Sequence, residues 1–261
     1  MSVKIHPTAI ISENVVFGEN VEVGPYVIID DDVQIGAGTT VQAFSCIGKG
    51  ARIGCNCDIG PSAMVSTPTV DLSYEGEEVF TFIGDSTSIK EFVVIHNGTK
   101  VTGKTQIGKN CLIMAYSHIA HDCVVGDNVI IANGGQLAGH VLIEDFATLG
   151  GTVKVHQFCR VGTHSMIGVD SYLNQDAPPY SLIAANPNLK MFGLNAVGLK
   201  RRNFSPEIIK ELNHFYRLLL RSGLNISDAL VKYKNDYKGK IIEEVANCIT
   251  FIECSKRGII K

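Results

Sequence analysis

A bulky apolar residue stands at every sixth position from Ile5 through Ile11, Phe17, Val23, Ile29, Ile35, Val41, Ile47, Ile53 and Ile59 to Val65. The beat lapses, returns at Ile83, Ile89 and Ile95, lapses again, and then runs unbroken from Ile107 to Leu173. Gly often follows the aliphatic residue, as at Gly18, Gly36, Gly54 and Gly126, and four residues after it comes a small or medium one such as Val21, Val27, Ala51, Cys57 or Ala63. Neither a helix of 3.6 residues per turn nor a hairpin meander keeps such a period. Two inward positions per six residues suit a short flat strand and a turn, with three such units closing one triangular coil. The pattern predicts an all-β solenoid, the left-handed parallel β-helix of hexapeptide repeats.

The two lapses fall near 66–82 and 100–106. The first carries Pro68 and four acidic residues, and an insertion of that size leaves a solenoid as a loop on its functional side. Pro178 and Pro179 predict the end of the strand ladder, since proline cannot donate to it. Beyond about residue 190 the period becomes helical. Ser205 and Pro206 read as an N-cap and first turn, Gly223 as a stop, and Ile208, Leu212, Phe215 and Leu219 share one face. Two more helices are expected at about 226–236 and 240–254. The expected organisation is a β-helix over 1–190 and an α-helical C-terminal subdomain over 191–261, packed on the open end of the coil.

The composition narrows the function classes. The 23 basic and 26 acidic residues nearly balance, so no nucleic-acid partner is demanded. The N-terminus shows no charged-then-apolar signal segment and no apolar run nears bilayer length, which makes a cytoplasmic protein without membrane insertion the expectation. Of the eight cysteines, Cys57, Cys111, Cys123 and Cys159 fall where the coil wants a small buried residue, and they read as small hydrophobes. Cys55 and Cys57 are too close together for a zinc knuckle. No metal and no cofactor are expected.

Hexad geometry places the histidines. Residues 18 apart lie on successive coils, about 4.8 Å apart at the usual strand spacing. The hexads at Ile119, Leu137 and Val155 therefore stack, bringing His118, His121, His140 and His156 onto one strip. His121 is followed by Asp122, and Gly139 lies one coil above His121. A general base, a carboxylate to orient it and a backbone N–H for an oxyanion suit acyl transfer to a hydroxyl without a covalent enzyme intermediate. His6, His164 and His214 read as solvated, with His164 on the next face; His96, beside a lapse, is left open. A metal site is the rival for the strip, because γ-type carbonic anhydrases are also left-handed β-helices with histidine ligands, but this spacing differs from theirs.

Ser117-His118-Ile119-Ala120-His121-Asp122-Cys123, Leu137-Ala138-Gly139-His140, Val155-His156-Gln157-Phe158, Pro178-Pro179-Tyr180, Gly198-Leu199-Lys200-Arg201-Arg202 and Lys256-Arg257-Gly258 occur in this order. Together they resemble the UDP-N-acetylglucosamine O-acyltransferases that begin lipid A synthesis, over nearly the whole chain. The resemblance implies a homotrimer with active sites between adjacent solenoids. The donor would be a 3-hydroxyacyl chain on acyl carrier protein, and the acceptor the 3-position of the UDP-sugar. It implies that His121 is the general base, Asp122 its orienting carboxylate and Gly139 the oxyanion donor. His118, His140, His156 and Gln157 would line the cleft, Asp71 would bind the sugar, and Asn195 and Arg201 would hold the nucleotide and its phosphates.

Three features depart from the family pattern: a loop, a position beside the nucleotide and the end of the acyl groove. Val70 and Ser73 stand where the family loop has Gln and Lys, so a cation that would repel a 3-amino sugar is missing. Val197 replaces an acid beside the nucleotide. Val169 replaces the small residue of long-chain enzymes and is the expected acyl-chain ruler. Lys154, Arg160, Lys190, Lys200 and Arg202 are candidates for docking the acidic carrier. The competing readings are an acetyl-CoA-dependent nucleotide-sugar N-acetyltransferase, which generally lacks this helical tail, and a non-catalytic scaffold, which has no need of stacked histidines.

Overall fold

The computed structural model describes residues 2–72, 74–185, 188–236 and 241–261; Ser73 lies outside them. Short strands stack into three flat sheets, which among the described residues hold eleven, nine and eight strands, all paired in parallel except the last of the first sheet. The first face begins with Lys4–Ile5, the second with Ile10–Ile11 and the third with Val16–Phe17. Partners such as Lys4 and Glu22, or Ile10 and Ile28, are one coil apart. The chain is thus a left-handed β-helix.

The aliphatic of each hexad points into the prism, where Ile47, Ile59, Ile89, Ile113 and Ile131 are fully buried. The residue four positions on, such as Val21, Val33, Ala51 or Ala63, fills the corner. Buried Cys57, Cys111, Cys123 and Cys159 occupy the same place. Burial pushes the Cys111 and Cys159 thiols up to about 11 and that of Cys123 to about 12, so they stay protonated. Gly36, which follows the aliphatic, is required by close approach: a Cβ there would lie 2.5 Å from the backbone of the next coil.

Both insertions leave the corner between the second and third faces. The first separates Met64–Thr67 from Phe80–Ile83, and the second separates Val94–His96 from Lys104–Ile107. They span 68–79 and 97–103: the first is shorter than its lapse in periodicity because the flanking strands run on into it, and the second has the length of its lapse but begins three residues earlier.

The prolines at 178 and 179 do not end the ladder. Ala177 bridges to Val161, the prolines occupy the turn where no ladder N–H is needed, and Ser181–Ala185 pairs with Met166–Ile167. The strand Leu189–Leu194 then folds back antiparallel across position 190. Helices follow at α1 (Ala196–Arg201), α2 (Pro206–Arg221), α3 (Ile226–Asp236) and α4 (Glu243–Glu253). Helix α1 is too short to show a period. The Ser205 hydroxyl caps α2 by accepting from the Ile208 N–H at 3.3 Å. The Tyr216 hydroxyl donates to the Pro179 carbonyl at 2.7 Å, and the Arg160 guanidinium sits 4.1 Å over the Phe251 ring, which seats the helices on the last coils. Among the described residues no helix is long and apolar enough to cross a membrane.

Candidate functional site

Asp122 sits second in its turn, at the corner where both insertions emerge. Its φ of 59° is one that short polar residues tolerate. Its carboxylate is buried. It accepts from the Thr99 N–H at 3.1 Å, from the Thr99 hydroxyl at 2.8 Å and from the Thr102 hydroxyl. Thr99 and Thr102 belong to the second insertion, which is therefore part of the site. Burial raises the Asp122 pKa, but the bonds from Thr102, His121 and Thr99 outweigh it, and the group is held below the usual carboxylate range.

The Nδ1 of His121 lies 2.8 Å from Oδ2 of this carboxylate. A carboxylate can only accept, so Nδ1 carries the proton and Nε2 offers its lone pair outward. Nε2 is 3.7 Å from Oδ2 of Asp71, in the first insertion. The His121 ring packs against Gly139: a Cβ there would be 2.5 Å from its Cε1 and 2.7 Å from its Nε2.

The N–H of the first turn residue has a recurrent partner elsewhere in the solenoid. Lys109 N–H donates to Asp127 and Asp127 N–H to Asp145, each a carboxylate one coil further on, at 2.7 and 2.8 Å. Gly139 holds the same place in its turn, with Gln157 one coil on. The N–H groups at the equivalent turn positions of Lys109 and Asp127 are the ones that meet a carboxylate.

His140 is perpendicular to His121 at 5.2 Å between ring centroids, with Nε2 3.6 Å from Oδ2 of Asp122, and it stacks on Phe158 at 4.7 Å. His118 points outward from the second face, edge-on to buried His96 at 5.1 Å. Burial and His96 together lower its pKa. His96 Nδ1 donates to the Pro68 carbonyl at 2.8 Å and so anchors the first insertion. His156 is held by the Gln157 carbonyl at 3.1 Å and abuts Tyr172. The ligating atoms of His121, Asp122 and His140 lie within 4.8 Å of one another, near enough to share a cation. The Asp122 oxygens, however, are already engaged by hydroxyls, an amide and an imidazole.

Asp71, His118, His121, Asp122, Gly139, His140, His156 and Gln157 thus gather on one strip. Asn195, Arg201 and Val169 do not join them within the chain. Arg201 borders a cavity of about 690 Å³ against the first face, with Ile130, Thr148 and Met166 on its wall. Asn195 spends its amide on capping α1: Oδ1 accepts from the Gly198 N–H at 3.1 Å and Nδ2 donates to the His164 carbonyl at 3.0 Å. Val169 stands exposed at the corner between the first and second faces.

Several expectations are corrected. His164 is packed rather than solvated, between the rings of Phe146 and Tyr180. Arg202 and Arg160 are half-buried and engaged, the latter with Glu144 at 3.2 Å, so neither offers a free docking charge. Thr99, Thr102 and Phe158 carry no role in the sequence reading, and His96, left open there, joins the site. Phe158 alone had a signal, standing 18 residues after His140.

Residues 176–260 match the family described as UDP-N-acetylglucosamine O-acyltransferase, domain 2, and residues 14–49 and 104–139 match the bacterial transferase hexapeptide family. The acyl-[acyl-carrier-protein]–UDP-N-acetylglucosamine O-acyltransferase of Syntrophobacter fumaroxidans is 42% identical, over 99% of this chain and 100% of that protein. That of Thermodesulfovibrio yellowstonii is 44% identical over 99% of each. Among solved structures, the UDP-N-acetylglucosamine acyltransferase of Bacteroides fragilis is similar, with a TM-score of 0.95 at 40% identity, covering 98% of this chain and 100% of that one. LpxA of Acinetobacter baumannii gives 0.94 at 39%, covering 98% and 99%.

Proposed function

The chain belongs to the acyl-[acyl-carrier-protein]–UDP-N-acetylglucosamine O-acyltransferases, and on that premise we propose that it moves a 3-hydroxyacyl group from acyl carrier protein to the 3-position of UDP-N-acetylglucosamine, opening lipid A synthesis. One observation carries the chemistry: the His121 ring, pinned by Asp122 on one edge, presents its other nitrogen to the cleft above Gly139.

Nε2 of His121 removes the proton from the sugar hydroxyl as its oxygen attacks the thioester carbonyl. The carbonyl oxygen takes up negative charge beside the Gly139 N–H. The tetrahedral intermediate collapses, the C–S bond breaks, and the departing thiolate takes the proton back from Nε2. A C–O bond has replaced a C–S bond, and no acyl group has been attached to the protein. Asp122, ionised by its hydrogen bonds, keeps the ring oriented and stabilises the transient imidazolium.

The working unit is a homotrimer. The second face carries exposed Ile10, Ile28 and Met64, and the corner beside it carries the stacked exposed pairs Tyr26–Phe44 and Phe92–Tyr116. Such a surface calls for a partner. The His121 strip and the Arg201 cavity lie on different sides of one solenoid, so a neighbour laying its first face against this second face supplies the nucleotide end. The acyl chain then runs along the corner lowered by Gly134, Gly135, Gly150 and Gly151 toward Val169.

The test is mass spectrometry of products from mixed acyl-carrier donors, acetyl-CoA, UDP-N-acetylglucosamine and its 3-amino analogue. A 3-hydroxyacyl ester is expected, and His121→Ala should lower turnover about 10²–10⁴-fold with the trimer intact. Transfer from acetyl-CoA alone, or a His121→Ala rate above a third of wild type, overturns this reading.

A further inference from the structure

Outside the His121 strip, the imidazole of His164 is packed among aromatic rings. It lies between Phe146 and Tyr180 with ring centroids 4.7 and 5.6 Å away and planes within 10° of parallel, and Phe204 closes a third side edge-on at 4.9 Å. Its Nδ1 is 3.2 Å from Nη1 of Arg202. A guanidinium only donates, so Nδ1 accepts and the ring is the neutral tautomer with its proton on Nε2. The same Nη1 donates to the Phe146 carbonyl at 3.0 Å, and the guanidinium lies 4.6 Å over the Phe146 ring. These partners are all uncharged, so the positive charge of Arg202 is oriented without being neutralised.

His164 grips α1 at both ends. Its carbonyl accepts from Asn195, the N-cap, at 3.0 Å, and its ring accepts from Arg202, the C-cap. Between these two points lies Arg201, on the wall of the 690 Å³ cavity that His164 also lines. A six-residue helix has little stability of its own, so its seating depends on such ties.

We propose that His164 is a positioning residue for sugar-nucleotide recognition: its neutral ring accepts from Arg202 and thereby seats Ala196–Arg201, so that Arg201 meets the phosphates. This rests on reading that cavity as the nucleotide end of the site. Burial and the Arg202 charge hold the His164 pKa down to about 4, so the ring remains an acceptor throughout the neutral range.

His164→Phe keeps the stack and loses the acceptor, whereas His164→Asn restores an acceptor near Nδ1 and loses the stack. The full-length enzyme is assayed with each substrate varied, beside Arg201→Ala and Arg202→Met. His164→Phe should raise KM for UDP-N-acetylglucosamine about tenfold, the size of one lost hydrogen bond to a charged group, with kcat changed less than about twofold. His164→Asn should recover most of that loss. Arg202→Met probes the same bond from its other side, and the double variant should be no worse than the poorer single. A raised KM in Arg201→Ala beside an unchanged KM in His164→Phe overturns the role given to His164. Losses that multiply in the double variant, or a His164→Asn no better than His164→Phe, overturn it as well. An unchanged KM in Arg201→Ala overturns the nucleotide reading itself.

Discussion

The imidazole of His121 fills the space a side chain on Gly139 would need, with its Nε2 2.7 Å from the place a Cβ would take. Gly139 is not among the residues of positive φ, so it is the ring and not the backbone that demands glycine here. Gly139→Ala should therefore leave the melting temperature within a few degrees of wild type. The methyl group would lift the ring off its 2.8 Å bond to Asp122 and lower kcat about 10²-fold or more. A folded Gly139→Ala enzyme with near wild-type turnover would remove this contact from the mechanism.

Asp122→Asn separates charge from shape. Asn tolerates the φ of 59° and still reaches Thr99 and Thr102, so the corner should fold. What it lacks is the charge that fixes the proton on Nδ1 and leaves Nε2 as the base. A loss in kcat of about 10²–10⁴-fold is expected, with KM for the sugar little changed. Steady-state kinetics would refute the assignment if KM rose while kcat held.

Val169 sets the donor length in this reading. Its Cγ2 would be 3.9 Å from a Cβ on Gly151, one coil below, so it stands at the head of a glycine-lined corner. Each buried methylene favours longer donors by about 0.8 kcal/mol until they meet a wall. A β-branched wall is stiff at χ1, and overpacking against it costs about 1–3 kcal/mol. Val169→Gly should shift the optimum to longer 3-hydroxyacyl donors and leave KM for the sugar nucleotide alone. Superimposable donor-length profiles would place the ruler elsewhere.

His164 should leave a signature in stability against pH. Its folded pKa, about 4, lies below its ordinary value of 6.5, so between those values the unfolded chain binds more protons. Stability contributed by the neutral ring is complete above pH 6.5 and declines as pH falls toward 4. Denaturant melts at several pH values should show the difference between wild type and His164→Phe shrinking across that window. A constant difference would mean that the packed ring titrates normally.

In the solenoid each residue meets the one 18 places on, and that offset is written in the hexads. The β-helix, its buried aliphatics and cysteines, and the stacking of His121, Gly139 and Gln157 were legible because periodicity converts sequence number directly into position. What the Gly139 N–H meets was not, since that depends on turn geometry, which at Lys109 and Asp127 sets the N–H on a carboxylate one coil on. The contacts that complete the site break the period: Asp71 with His121, Thr99 and Thr102 with Asp122, Arg202 with His164. They come from insertions and a helical tail whose paths obey packing and not repeat, so no spacing announces them. For the same reason the sequence reads His164 as idle, whereas the tertiary structure closes Phe146, Tyr180 and α1 around it. Sequence alone determined the coil and the line of the histidines; tertiary packing decided which side chains hold them, and to what.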